Sequence, residues 1–416
     1  MTTDTHEAVV GTALETWFFS EEGLTDPYAY ARVARAHARV APVPAFGLHL
    51  VTGFTEALEA LTDPTFRVAL PADHDRDIPG WRGSPALAAL NASVLMVNPP
   101  EHTRLRKAAV RFFTPRRTAL LENMVERIVT GAVDRLAREL AEHGVADFQR
   151  TVGFAVPAEV IGALLGVGPG DLLDVCHDVE TVTKLTEPFK NPELIAAGDS
   201  AYAALTGCFE EIVRARRDRP RDDIPSALLT CDLSSREVVD SLVFLFCAGY
   251  ETTSGLLGNG MLALLDHPGQ YRRLAADPAL ATDAVEEMLR YDSPVQFTVR
   301  YPTTAVRLGD TDLAEGATVL VAVGAANRDP AQFPAPERFD IGRGAAAVRN
   351  LSFGGGPHNC VGAHLARLEA RILFQTLPAR LPGLRATGRL TRRAAIDLRN
   401  LLTLEVTDTA PAGEPV

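Results

Sequence analysis

Cys360 stands in the run Phe353-Gly-Gly-Gly-Pro-His358-Asn-Cys360-Val-Gly362, with three glycines before it and a helical pattern after it. Leu365, Leu368 and Ile372 recur at helical spacing, so Cys360 falls at or just before a helix N-terminus. Free backbone N–H groups and the helix dipole favour an anion there and lower a thiol's pKa. A thiolate is both a nucleophile and a metal ligand. Three readings are open at this point: a nucleophile with His358 or His364 as its base, the sole protein ligand of a metal cofactor, or a buried cysteine in a glycine-rich turn. Gly354, Gly355, Gly356 and Gly362 allow a tight turn and the close approach of a flat group.

Other residues could do chemistry too. Glu251, Thr252 and Thr253 interrupt a strongly apolar stretch. A carboxyl beside a hydroxyl can relay protons, although a solvent-facing helix edge would look the same. His102 and Arg106 are four apart on one helix face and could hold a carboxylate by charge-assisted hydrogen bonds. Glu287 and Arg290 form an E-x-x-R pair, three apart.

The elements that must position these groups are mostly helical. Helical periodicity covers 116–143, 194–217, 234–266 and 360–380, and strand-like pieces are short: 47–52, 305–308, 317–323 and 400–407. The expectation is a mainly α fold with small β-sheets, and one folding unit over 1–416. Ser234-x-x-Glu237 is a capping box opening a long helix that Pro268 ends. Gly249 inside it costs about 1 kcal/mol relative to alanine. Phe244 and Ala248 share a face with Thr252. Residues 68–97 read as a long substrate-facing loop with one short helix, and 172–217 as lid helices broken by a hinge at 184–193. Residues 1–8 and 409–416 read as frayed.

Phe353-Gly-x-Gly-x-His358-x-Cys360-x-Gly362, followed by Leu365-Ala-Arg367, resembles the haem-binding loop (353–367) of the cytochrome P450 family. Ala248-Gly-x-Glu251-Thr252-Thr253 resembles that family's oxygen-binding helix, here 234–267. Asn98-Pro-Pro-Glu-His102-Thr-Arg104-Leu-Arg106 resembles its D-P-P-x-H-T-x-x-R segment, with Asn98 in place of the usual aspartate. Glu287-x-x-Arg290 and "NRDPAQFPAPERFD" complete the set in family order.

The resemblance implies the family's triangular helical prism and haem b, with Cys360 as the axial thiolate. It implies that His102, Arg106, Arg300 and His358 bind the propionates, while Phe353, Gly354 and Gly362 shape the loop. Ala248 would lie beside the haem. Thr252 would hydrogen-bond the iron-bound oxygen and Glu251 would relay protons. Glu287, Arg290 and Arg338 would form a buried structural network. Val94, Leu95, Phe244, Ala248, Val295, Phe297 and Leu398 are candidate substrate contacts.

Hydrophobic residues make up 46% and charged residues 23% of the chain, which suits a globular enzyme. The net charge of −12 argues against a nucleic-acid binder. The opening residues do not read as a signal peptide and no apolar run reaches roughly 20 residues; a cytoplasmic monomer without a membrane partner is expected. The resemblance implies O2 as co-substrate and electrons from NAD(P)H through a ferredoxin reductase and a ferredoxin. Arg104, Arg106, Lys107, Arg111, Arg116 and Arg117 form an acid-free basic run, and its outward members could steer that acidic ferredoxin.

The expected reaction is hydroxylation or epoxidation of a bulky apolar secondary metabolite, such as a polyketide or macrolide. Oxidative coupling or ring formation on the same scaffold is the alternative. A haem protein without turnover and a cysteine hydrolase using Cys360 are more distant rivals.

Overall fold

A helix of 32 residues, Ser235–Asp266, runs through the molecule for about 48 Å. Its start is fixed by the reciprocal bonds of Ser234 and Glu237, and Pro268 opens the next helix directly after the His267 cap. Every residue from Thr253 to Leu264 is buried, as in a helix covered on all sides. The computed structural model describes residues 3–408. The remaining terminal positions, including all of 409–416, lie outside the described residues; 3–8, expected to fray, belong to a helix Thr3–Phe19.

Around the central helix pack Glu122–His143, Ala155–Leu165, Leu172–Thr183, Pro192–Asp218 and Ala363–Arg380. Their buried side chains, from Val125 through Phe209 and Phe246 to Phe374, form one large apolar cluster. A five-stranded sheet orders its strands Val40–Val43, Leu48–Val51, Thr318–Ala322, Phe297–Pro302 and Phe66–Arg67. Among the described residues only Leu48–Val51 and Thr318–Ala322 pair in parallel. A three-stranded sheet joins Ala146–Asp147, Leu401–Thr407 and Arg385–Arg392, and Val306–Leu308 pairs with Thr311–Leu313. The mainly helical expectation holds.

Two differences have local causes. The stretch 116–143 divides into Pro115–Ala119 and Glu122–His143, because Pro115 and the Thr114 cap start a separate turn. The stretch 68–97 is more ordered than a loop with one helix. It holds helices Pro71–Asp77 and Pro85–Asn91, each with proline in its first turn, joined by the turn Trp81–Gly83.

Candidate active site

Cys360 sits at the mouth of the helix Ala363–Arg380, with Gly362 as the N-cap residue. Its backbone N–H donates to Phe353 O at 2.8 Å, closing the loop on itself. Gly354 and Gly356 have φ of 71° and 60°, a backbone region that disfavours side chains. A Cβ on Gly356 would lie 2.6 Å from Leu61 O. Arg367 stacks on the Phe353 ring, 4.4 Å from its centroid. The Cys360 residue is solvent-accessible although protein packs closely around its sulfur. Burial pushes the thiol up, while N–H groups of Gly362 and Ala363 and the charges of Arg106 and Arg367 pull it down.

Four basic side chains gather beside this loop. His102 and Arg106 come from the helix Glu101–Val110, His358 from the turn Gly356–His358, and Arg300 from the strand Phe297–Pro302. The His102 and His358 rings are 4.2 Å apart, and Arg106 donates to Asn359 O at 2.7 Å. Arg300 is buried and donates only to Thr298 Oγ1 and Val299 O; burial lowers it to about 10. Burial pushes His358 down to about 3, with His102, Arg300 and Arg106 adding repulsion. Among the described residues His102 Nε2 is buried with no hydrogen-bond partner. Among the described residues no carboxylate pairs with Arg106 or Arg300. The site thus gathers two arginine charges and two histidine rings that burial keeps neutral, and among the described residues no carboxylate satisfies them.

On the central helix, Phe244, Ala248 and Thr252 form a half-buried stripe at i, i+4 and i+8, with Cys247 and Gly249 half-buried beside Ala248. Such a stripe marks the side of a core helix that lines a cleft. Thr252 Oγ1 donates to Ala248 O at 2.7 Å. Gly249 has a packing reason, since a Cβ there would lie 3.1 Å from Ile161 Cδ1. Glu251 is fully buried and clamped. Both guanidinium nitrogens of Arg393 reach its carboxylate at 3.0 Å, and Asn400 Nδ2 reaches it at 2.8 Å. Burial raises Glu251 and Arg393 opposes that rise.

A family model for Cytochrome P450 matches residues 199–377. PikC, a cytochrome P450 monooxygenase of Streptomyces venezuelae, is 40% identical over 375 residues, spanning 86% of this chain and 85% of PikC. The chain belongs to the cytochrome P450 family. This P450 is also 34% identical over 370 residues to the 6-deoxyerythronolide B hydroxylase of Saccharopolyspora erythraea, spanning 84% of this chain and 87% of the hydroxylase. The solved P450BioI, bound to an acyl carrier protein ligated with hexadec-9Z-enoic acid, matches with a TM-score of 0.86 at 30% identity. That match covers 93% of this chain and all (100%) of the P450BioI chain.

The P450 is therefore a haem-thiolate monooxygenase by family. Its residues fit that group: one accessible thiol in a glycine cradle, beside paired basic donors that lack an anion where two propionates would supply it.

Two expected placements in this P450 need correction. Arg338 does not join the buried network; its side chain is 70% exposed and reaches only Asp340, at 3.6 Å. The third member is Arg343, whose Nε donates to Glu287 Oε2 at 2.9 Å, while Arg290 Nε reaches the same oxygen at 2.7 Å. Arg338 contributes its backbone carbonyl to both arginines. Phe297 packs on Trp17 and Phe18, with ring centroids at 4.9 and 5.3 Å, inside the N-terminal apolar cluster rather than facing the cleft. Val295 and Leu398 meet in an isolated β-bridge, and Val94 and Leu95 follow the helix Pro85–Asn91.

Asn98 also finds its reason. Its amide both accepts from Val68 N–H and donates to Val68 O, each at 3.1 Å, which an ionised aspartate could not do. Sequence reasoning missed Arg393 and Asn400. They lie roughly 140 to 150 residues from the acid they hold, and only the fold brings them there.

Proposed function

We propose that this P450 uses O2 and ferredoxin-borne electrons to hydroxylate or epoxidise a bulky apolar natural product of the polyketide or macrolide kind. The observation that carries the site assignment is the anion-lacking cluster of His102, Arg106, Arg300 and His358 beside the accessible Cys360 thiol. The name of the 6-deoxyerythronolide B hydroxylase supports the macrolide class.

Cys360 would hold the iron, and the four basic groups would pair with the two propionates. The haem, once bound, supplies the activation of O2. The chain's own part is positioning and proton supply. Phe244 and Ala248 present apolar surface to the substrate along the Thr252 stripe. The Thr252 hydroxyl both accepts and donates, so it can pass a proton at Oγ1 once it leaves Ala248 O. Glu251 stores a carboxyl behind it, held by Arg393 until a swing exposes it.

Val94, Leu95, Val295 and Leu398 would complete the pocket. Electrons from NAD(P)H would arrive through a reductase and a ferredoxin docking on the basic run at 104–117. A screen of macrolactones, polyketides and terpenes against the ferric protein tests the substrate class. A macrolactone that drives the low-to-high-spin Soret shift and gains one oxygen atom by mass spectrometry supports it. A shift and turnover confined to small terpenes would contradict it.

A further inference from the structure

The segment between the helices Leu172–Thr183 and Pro192–Asp218 has the sequence of a hinge, yet its tip is tied down. After the turn Lys184–Thr186, the Glu187 carboxylate accepts the backbone N–H of Ile396 at 3.0 Å and that of Asp397 at 3.4 Å. The Thr186 hydroxyl lies against the Asp397 carboxylate, and Lys190 Nζ folds back onto Glu187 O. Phe189 packs on Phe19 with ring centroids 5.2 Å apart, and Phe19 stacks on Phe46. Among the described residues Asp397 Oδ1 is buried without a hydrogen-bond partner. Burial and the neighbouring Asp397 carboxyl both make ionising Glu187 costly.

We infer that Thr186, Glu187 and Lys190, closed on Ile396 and Asp397, form a proton-dependent latch that holds the lid over the substrate cleft. This rests on the reading of 172–217 as lid helices, with substrate entering the proposed pocket beneath them. The groups facing the latch come from four elements. Lys190 lies on the lid itself. Arg393 comes from the same loop as Asp397, but is paired to Glu251 of the central helix. His74, from the helix Pro71–Asp77, lies near Lys190, and its Nε2 is buried without a partner.

In the closed latch, burial first and Asp397 second push Glu187 up to about 9. Released to water, it returns to an ordinary carboxylate value of about 4.3. Closure therefore takes up a proton across that window. It is strongest at the acid end and weakens as pH rises toward 9. Lys190, lowered by burial, acts in the opposite sense at the alkaline end, so variants at Glu187 must separate the two.

The test uses the ferric holoenzyme with two readouts. Hydrogen-exchange protection factors of residues 185–190 and 396–398 report opening. The binding rate of 1-phenylimidazole, read from the Soret shift, reports passage. For the wild type, protection should fall and the binding rate should rise by at least about tenfold between pH 7 and 9. Glu187→Gln keeps the hydrogen bonds without the charge, and should stay closed and slow throughout. Asp397→Asn should lessen the slope and leave the part that burial causes.

The latch is overturned if Glu187→Gln keeps the wild-type slope, or if wild-type protection is independent of pH while the probe still binds. If protection follows pH but the binding rate does not, gating of this cleft is overturned, and with it the reading of the entry route. Absence of any Soret response to the probe would instead count against the haem-site reading, with the protection data still deciding the latch.

Discussion

Arg343 donates to Glu287 Oε2 from a 10% exposed position, while the Arg338 side chain, five residues earlier, lies in solvent. Glu287 is fully buried and also accepts from Arg290 and the Asp340 N–H. Removing Arg343 leaves that charge under-compensated, so Arg343→Ala should cost about 3–5 kcal/mol. Arg338→Ala should change stability by about 0.5 kcal/mol or less. Urea unfolding of the haem-loaded protein measures both, and equal losses would contradict the assignment.

Thr252 allows a second prediction at this scale. Its hydroxyl donates only to a helix carbonyl, so Thr252→Ala should cost about 1 kcal/mol or less. Substrate binding should hold, while product formed per NAD(P)H consumed should drop severalfold. Unchanged coupling would remove Thr252 from the proton path.

The central helix meets its neighbours through glycines as much as through side chains. A Cβ on Gly255 would lie 2.2 Å from Asn400 Oδ1 and 3.1 Å from Pro294 Cβ. Gly255→Ala should therefore displace Asn400 and loosen one hydrogen bond on Glu251. The expected loss is about 1–3 kcal/mol, with less product formed per NAD(P)H consumed. A gain in stability, as helix propensity alone would give, would contradict this packing.

At this scale the sequence was readable where a pattern is local. The capping box at Ser234, the helix ending before Pro268 and the strand near 401–407 all carry short-range signals. The strand Phe297–Pro302 did not stand out: Phe297, Val299 and Tyr301 do alternate with Thr298 and Arg300, but the run is short and ends at Pro302. The Arg393–Glu251 clamp and the substitution of Arg343 for Arg338 were unreadable for another reason. Each depends on chain segments that only the fold brings together. Two arginines five apart in one loop look alike until the loop's path is known.

Over the whole molecule, a net charge of −12 makes the basic run at 104–117 a local reversal. The structure occupies part of it. Arg104 pairs with Glu101 and Glu237, and Arg111 bonds Ala227 O. Lys107 and Arg116 are exposed, and among the described residues neither has a carboxylate partner. Substituting both with alanine should raise the apparent KM for ferredoxin severalfold at low salt and leave kcat unchanged. The difference should shrink as salt is raised. An unchanged KM would place the docking face elsewhere.

Across these scales the account depends on Cys360 being an axial thiolate rather than a nucleophile or a buried thiol. The absorption spectrum of the freshly purified, haem-loaded protein, reduced and bound to CO, tests this most directly. A thiolate from Cys360 predicts a strongly red-shifted Soret band that Cys360→His abolishes. A wild-type band at the position given by the histidine variant would contradict the assignment.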